Sequence, residues 1–175
     1  REGDGSCFVV ELPLLATEQL SVEITTPPVL LSRGLVLVVE DNEDDIRILE
    51  KVFENMKLLN IISVVRNGQE ALDYIYHLGK YASSGHPAPG LILLDIRMPI
   101  MDGFEVLAKL KSDPEHRKIP VIILTTSDRE EDIAKSYENG ACSFVTKPVS
   151  FFDFIKIMER FEIYWTLVSK IPEAK

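Results

Sequence analysis

Few cysteines, few basic residues and no long apolar segment characterise this 175-residue sequence. Cys7 and Cys142 lie far apart and have no metal-ligand spacing around them, so we expect neither a disulfide framework nor a zinc site. No apolar run approaches the ~18 residues of a membrane span, and the acidic N-terminus lacks the apolar segment of a secretory signal. We therefore expect a chain of the reducing cytoplasm that makes no membrane contact.

Positive charge is scarce, because 19 Lys and Arg stand against 28 Asp and Glu, which gives a formal net charge of −9. Nucleic acid phosphates would repel such a chain, so nucleic-acid binding is disfavoured. Hydrophobic residues make up 46% and charged residues 27%, as in an ordinary globular protein, which excludes wholesale disorder. The length allows one domain with appendages.

The composition changes near residue 34. Residues 17–33 include Thr-Thr-Pro-Pro and show no clear helical period, which predicts a linker. Before the linker, residues 7–12 are typical of a short strand that stops at Pro13. Because the chain starts with Arg1 rather than Met, we expect a fragment or a processed product. The predicted segments are a strand remnant at 1–16, the linker at 17–33, and a main domain with an extended last helix at 34–171.

From residue 35 onward, short apolar runs alternate with amphipathic stretches. Runs that are apolar at every position are typical of strands covered on both faces, and right-handed crossovers make such strands parallel. We predict an α/β fold, a flavodoxin-like doubly wound five-stranded parallel sheet of order 2-1-3-4-5 with five helices, plus the N-terminal extension. The predicted strands are 35–39, 61–65, 91–94, 121–124 and 144–146, and the predicted helices are 44–56, 68–78, 102–111, 128–139 and 151–170.

Polar side chains follow directly after four of the five strands. Glu40 and Asp41 follow the first strand, Asp95 the third, Thr125 the fourth and Lys147 the fifth. The carboxyl ends of parallel strands meet at one edge, where such folds bind ligands. Three carboxylates there repel one another unless a cation neutralises them, and ligation by oxygen alone favours Mg²⁺. A lysine beside a hydroxyl suits a phosphoryl group, which an aspartate can accept as a mixed anhydride.

The acids that follow this pair have an ordinary explanation. Asp44 and Asp45 stand at the start of the first predicted helix, where negative charge favours the helix dipole. Their presence therefore indicates a charged helix N-terminus rather than a site.

Four short motifs contain these strand-end residues: Val-Val-Glu-Asp-Asn at 38–42, Leu-Asp-Ile-Arg-Met-Pro-Ile-Met-Asp-Gly at 94–103, Leu-Thr-Thr at 124–126 and Thr-Lys-Pro at 146–148. Together and in this order they resemble the receiver domain of two-component response regulators, over about residues 35–171. The resemblance implies that a phosphohistidine on a partner histidine kinase or phosphotransfer protein donates a phosphoryl group, and that the receiver catalyses the transfer. The output would be a changed protein–protein surface.

The resemblance also implies a role for each residue. Asp95 would be the phosphoacceptor, and it would hold Mg²⁺ together with Glu40, Asp41 and the backbone carbonyl of Arg97. The side chain of Arg97 could shield the phosphoryl group or pair with Glu40. The other implied roles are the switch hydroxyl for Thr125, the switch aromatic for Phe144, phosphate binding before a cis-prolyl bond for Lys147, and tuning of the acyl-phosphate lifetime for Arg97 and Ser127.

An apparent insertion at residues 79–90 and an aromatic tail resemble the receivers that partner bacterial phytochromes. The last predicted helix is apolar around its circumference, whereas one sheet covers only one side of a helix. We therefore predict a second partner surface on this helix, most simply another copy of the chain in a two-fold dimer. Its predicted contact residues are Phe154, Phe161, Tyr164 and Trp165.

Residues 3–13, Gly-Asp-Gly-Ser-Cys-Phe-Val-Val-Glu-Leu-Pro, are similar to the last glycine-rich turn and strand of histidine-kinase ATP-binding domains. This resemblance implies the C-terminal part of a hybrid histidine kinase. The chain itself would not phosphorylate anything from ATP, because the remaining kinase motifs are missing. An ordinary hairpin turn is an equally good interpretation of the glycine pair.

Two other functions stay open for the main domain. An Asp-nucleophile phosphohydrolase commonly carries a second Asp two residues after the nucleophile, where this chain has Arg97. A constitutive interaction or dimerisation module would keep the receiver fold without ever being phosphorylated. The presence of the complete set of charged residues gives no reason to prefer that module.

Overall fold

The computed structural model describes residues 35–55, 62–148, 150 and 152–157. Within them no helix is long and apolar enough to cross a membrane. Residues 152–157 are helical and are called α5, and a short 3-10 helix, Gly79–Tyr81, lies between α2 and β3. The remaining elements are β1 (Leu35–Val39), α1 (Glu43–Asn55), β2 (Ile62–Val65), α2 (Gly68–Ile75), β3 (Pro89–Leu94), α3 (Gly103–Ser112), β4 (Val121–Thr125), α4 (Glu130–Glu138) and β5 (Ser143–Thr146).

The five strands form one parallel sheet of order β2-β1-β3-β4-β5, which confirms the predicted topology. Every residue of β1 and β4 is buried. Alternate positions of β1 face opposite sides: Leu37 packs with α2 and α3, whereas Val38 packs with α1 and α5. A sheet covered on both faces explains why its strands are apolar at every position.

Side-chain caps fix where the helices begin. The Asn42 side chain accepts from the backbone N–H of Asp44 at 2.9 Å, so α1 starts directly after the end of β1. Asp102 and Glu105 form a reciprocal capping box at the start of α3. Such caps contribute about 1 kcal/mol each, and here they also fix the loops at the carboxyl edge of the sheet. At the start of α5, the Ser150 hydroxyl accepts from the N–H of Asp153 at 3.4 Å.

The loop from β3 to α3 is tightly built. A Cβ on Gly103 would lie 2.2 Å from the carbonyl oxygen of Asp95, so only glycine lets α3 begin this close to the end of β3. The N–H of Met101 donates to the carbonyl of Pro99 at 2.8 Å, which closes a three-residue turn around Ile100. Ile100 has a φ of 71°, which is uncommon for a β-branched residue, so this turn stores strain in the loop between β3 and α3.

The last helix packs on the sheet through one of its predicted partner residues. Phe154 is only 4% exposed and belongs to the apolar cluster between the sheet, α1 and α5. Its assignment to a partner surface is therefore wrong, because in the folded chain the sheet already covers this side chain. Phe161, Tyr164 and Trp165 lie outside the described residues, as do the predicted segments 1–16 and 17–33.

Candidate functional site

Three carboxylates meet at the carboxyl ends of β1 and β3. One oxygen each from Glu40, Asp41 and Asp95 lies within 4.8 Å of the others. Glu40 is 3% exposed and Asp95 is 6% exposed, whereas Asp41 is open to solvent. In the described part of the chain this is the one group of three or more potential metal-ligating side chains. The structure thus brings together the three acids that we predicted to meet because each follows the end of a strand.

Backbone hydrogen bonds orient the two buried carboxylates. The Oε1 atom of Glu40 accepts from the N–H of Asn42 at 3.1 Å. The Oδ2 atom of Asp95 accepts from the N–H of Arg97 at 2.8 Å. The N–H of Asp95 itself donates to the carbonyl of Val39 at 3.0 Å, which ties the end of β3 to the end of β1. One oxygen of each carboxylate is thereby fixed, and the other is left for a cation.

The cation next to these carboxylates in the structure is the ammonium group of Lys147. Its Nζ atom donates to Glu40 Oε2 and to Asp45 Oδ2, the latter at 3.0 Å, and forms an ion pair with Asp95 Oδ1 at 3.3 Å. An ammonium group has three N–H donors, and these three carboxylates can take all of them. The backbone N–H of Lys147 donates to the carbonyl of Thr125 at 2.7 Å, so β4 fixes where the lysine leaves β5.

Negative charge exceeds positive charge at this edge. Burial raises the pKa of the Glu40 carboxyl, and this effect outweighs the lowering by the adjacent Lys147 ammonium. Burial by itself would lower the pKa of Lys147, but the Asp95 and Glu40 carboxylates outweigh it and raise that pKa. The single Lys147 ammonium therefore lies among four carboxyl groups, those of Glu40, Asp41, Asp45 and Asp95. Such an excess of carboxylate oxygens fits a hard divalent cation.

The hydroxyl side of the site is closed to solvent. Thr125 is fully buried at the end of β4, the strand beside β3, and its Oγ1 accepts from the N–H of Ser127 at 3.4 Å. The Ser127 hydroxyl donates to Asp132 Oδ2 at 2.5 Å, so the first turn of α4 is linked to the Thr125 loop. Phe144 is half-buried on β5 and packs against the apolar cluster under α2 and α3.

The structure contradicts two details that the resemblance had suggested. Of the two alternatives for the Arg97 side chain, pairing with Glu40 does not occur, because Arg97 is exposed and makes no ion pair with any described residue, while Glu40 is paired with Lys147. Shielding of the phosphoryl group by Arg97 stays a prediction. No peptide bond between described residues is cis, so the implied cis-prolyl bond before Pro148 is wrong, and this bond has the trans form that X–Pro bonds generally prefer.

Sequence reasoning missed two residues that shape the site. Asn42 caps α1 with its side chain and holds Glu40 with its backbone N–H. Asp45 contacts Lys147, although its position had suggested only an acidic helix start. A signal was available for Asp45, because it lies in the first turn of α1, which begins shortly after the end of β1 and so near the same edge of the sheet.

A doubly wound sheet that gathers carboxylates, a lysine and a buried threonine at one edge defines the receiver class of signalling domain. The family model described as the response regulator receiver domain matches residues 36–159, and the chain belongs to this family.

Its similarity extends to particular response regulators. Response regulator Rcp1 of Synechocystis sp. is 35% identical over 140 residues, which are 80% of this chain and 94% of Rcp1. The crystal structure of its Mn²⁺-bound form has a TM-score of 0.74 at 34% identity, covering 80% of this chain and 99% of that one. The phosphorylated cyanobacterial phytochrome response regulator RcpA has a TM-score of 0.75 at 36% identity, covering 81% and 100%.

Family membership confirms the predicted receiver fold and its place in two-component signalling. Receiver domains accept phosphate from histidine kinases and hold Mg²⁺ or Mn²⁺ at an acidic site. The chain is accordingly a receiver domain of two-component signalling.

Proposed function

We propose that this chain accepts a phosphoryl group from a phosphohistidine onto Asp95, with Mg²⁺ present, and then changes a protein–protein surface. One observation carries the proposal. The Asp95 carboxylate is buried at the end of a central strand, with one oxygen held by the Arg97 N–H and the other 3.3 Å from the Lys147 ammonium. A phosphorylated relative of the same fold, RcpA, supports the proposal.

The transfer forms a bond between an Asp95 oxygen and phosphorus and breaks the bond between phosphorus and the imidazole nitrogen, which leaves with the electron pair. Lys147 then exchanges its contact with the Asp95 carboxylate for one with a phosphoryl oxygen. The Thr125 hydroxyl is a donor for a second phosphoryl oxygen. The transfer needs no general acid from the chain, because positioning and charge stabilisation carry most of phosphoryl-transfer catalysis.

The acidic group fits a magnesium ion. Glu40, Asp41 and Asp95 offer oxygen ligands alone, which suits Mg²⁺ or Mn²⁺ better than a softer metal. We propose that these three residues and the backbone carbonyl of Arg97 hold the ion, with Glu40 acting through water. The bound ion supplies positive charge that offsets the repulsion between the carboxylates and the incoming phosphoryl group.

Incubation with acetyl phosphate and Mg²⁺ is expected to add a single phosphoryl group to the protein, as measured by intact mass. EDTA should prevent the adduct, since the acidic group would then repel the phosphoryl donor. A folded protein that binds Mg²⁺ but takes up neither phosphoryl nor beryllofluoride would instead be a constitutive module. Steady turnover of a chromogenic phosphate ester would identify a phosphohydrolase.

Dimerisation through the last helix remains part of the proposal. It is supported by the apolar character of residues 151–170 in the sequence, of which Phe161, Tyr164 and Trp165 are the relevant aromatics. In sedimentation velocity, the wild-type chain is expected to form a dimer that Trp165→Glu, which introduces an unpaired charge, converts to monomer. A wild-type chain that is monomeric at high concentration, with and without beryllofluoride, contradicts the dimer.

The origin in a hybrid histidine kinase is proposed on narrower grounds. It is supported by residues 3–13 alone, and the family match begins at residue 36. Reading the coding sequence upstream of Arg1 tests it, because a hybrid kinase requires the other ATP-binding motifs there.

A further inference from the structure

Asp45 occupies a place at the site that none of the four motifs assigns. It lies in the first turn of α1, is 26% exposed, and its Oδ2 accepts from the Lys147 ammonium at 3.0 Å. It is not a member of the close carboxylate group formed by Glu40, Asp41 and Asp95. Its connection to the chemistry therefore runs through the lysine rather than through a metal ion.

We infer that Asp45 is a positioning residue that keeps the Lys147 ammonium at the phosphoryl site when the other carboxylates are engaged elsewhere. The inference rests on the proposed function and deepens it, since it assigns a second anchor to the lysine that contacts the phosphoryl group. Without that anchor, the flexible side chain of Lys147 would depend on Glu40 and Asp95 alone.

The charges of those two partners change during the reaction. A divalent cation at the acidic group shares the negative charge of Glu40 and Asp95, which weakens their attraction for the ammonium. Once Asp95 carries the phosphoryl group, its carboxylate charge is gone. Asp45 lies outside the acidic group and is not the residue that accepts the phosphoryl group, so its contact with Lys147 remains available in both states.

The position of Asp45 is itself fixed. Its backbone N–H donates to the Asn42 side chain at 3.3 Å, and the Asn42 backbone N–H donates to Glu40 at 3.1 Å. One residue thus sets the spacing of the two acids that flank the lysine. A carboxylate held in this way can orient a long lysine side chain at lower entropic cost than a mobile one.

The chain offers a matched control in the preceding residue. Asp44 has the same side chain in the same helical turn, is 87% exposed, and pairs only with Arg47 at 3.7 Å among the described residues. Removing either acid removes one charge from the helix start, but only Asp45→Ala removes a partner of Lys147. Any effect of the helix dipole or of net charge should therefore appear in both variants.

The test compares wild type, Asp45→Ala, Asp45→Asn and Asp44→Ala at saturating Mg²⁺. For Asp45→Ala, the rate of phosphoryl uptake from acetyl phosphate and the affinity for beryllofluoride should each fall about tenfold, the typical effect of one hydrogen bond to a charged group. Asp45→Asn should fall between Asp45→Ala and wild type, because its amide oxygen still accepts from the lysine. Affinity for Mg²⁺, measured by calorimetry, should be unchanged in all variants.

Three outcomes would overturn the inference: wild-type uptake and beryllofluoride affinity in Asp45→Ala, an equal loss in Asp44→Ala, or a loss of Mg²⁺ affinity that matches the loss of beryllofluoride affinity. If Asp45→Ala does not fold, Asp45→Asn decides, since it preserves the shape of the side chain and a wild-type rate in it would overturn the inference. Absence of uptake in the wild type would instead overturn the proposed function, and the inference with it.

Discussion

Replacing Asp95 by asparagine should abolish phosphoryl uptake and leave the fold intact. The amide has no carboxylate oxygen to form the acyl phosphate, and we expect no adduct by intact mass where the wild type shows one. Its oxygen can still accept from the Arg97 N–H, which the native Oδ2 accepts from at 2.8 Å. Lys147 keeps Glu40 and Asp45 as partners, so no buried charge is left unpaired.

The stability of this variant should equal or exceed that of the wild type. The Asp95 charge contributes to the raised pKa of Glu40, so its removal relieves a repulsion between two buried carboxylates. Thermal unfolding in EDTA measures this, with a melting temperature at or above the wild-type value as the expected result. Asp73→Asn is the control, because it removes the same charge on α2, where Asp73 accepts from Gln69 at 2.9 Å, and it should leave uptake unchanged.

An adduct that forms in Asp95→Asn at the wild-type rate would refute Asp95 as the acceptor. A variant that loses both uptake and its cooperative unfolding would show only that Asp95 is needed for folding. The relief of repulsion argues against that second result, and the two measurements separate it from loss of chemistry.

The sheet and the strand-end residues were predictable because their signals are local. The predicted strands are mostly apolar runs followed by polar residues. The topology rules for parallel sheets then place the carboxyl ends of the strands at one edge. Glu40, Asp95 and Lys147 could be placed at one edge on that basis alone, although they are far apart in the chain.

Contacts that depend on how a helix is rotated were not predictable in the same way. Asp44 and Asp45 are identical in type and adjacent in sequence, yet about 100° of helical rotation separates their side chains. Packing of α1 on the sheet turns one of them toward Lys147 and leaves the other in solvent. The orientation of the last helix was equally unpredictable. Its sequence is apolar around the whole circumference, so the pattern does not reveal that Phe154 faces the sheet.

Loss of the Lys147 ammonium should produce the largest change in stability. Lys147→Met keeps much of the apolar stem but leaves Glu40 and Asp95, whose side chains are 3% and 7% exposed, without their cation. Removing one member of a buried ion pair typically costs about 3–5 kcal/mol, because the remaining charge stays buried. We expect a decrease of this size in the free energy of unfolding, measured with urea at pH 7 in EDTA.

An exposed lysine provides the control for this variant. Lys156 is 65% exposed and pairs with Asp153 at 3.3 Å, and Lys156→Met should change stability by less than about 0.5 kcal/mol. A loss in Lys147→Met no larger than that of Lys156→Met would contradict the view that the ammonium compensates a buried charge.

The deficit of Lys147→Met should depend on pH in a definite direction. Burial already raises the pKa of Glu40 above its ordinary value of 4.5, and removal of the lysine raises it further. A carboxyl whose pKa is higher in the folded state stabilises the fold while it is protonated, and this stabilisation is lost as the pH rises through the folded-state value. The difference from wild type should therefore shrink as the pH falls from neutrality toward 4.5.

Adding Glu40→Gln to Lys147→Met should restore part of the stability at pH 7 and remove most of the remaining pH dependence. The amide is neutral and can still accept from the Asn42 N–H, so the buried charge disappears while the hydrogen bond can remain. If the double variant has the same free energy of unfolding as Lys147→Met, the loss of stability comes from lost packing of the lysine stem and not from an unpaired charge. Recovery would show that the Lys147 ammonium balances the charge of the acidic site, and so maintains the fold with the same group that we propose contacts the phosphoryl group.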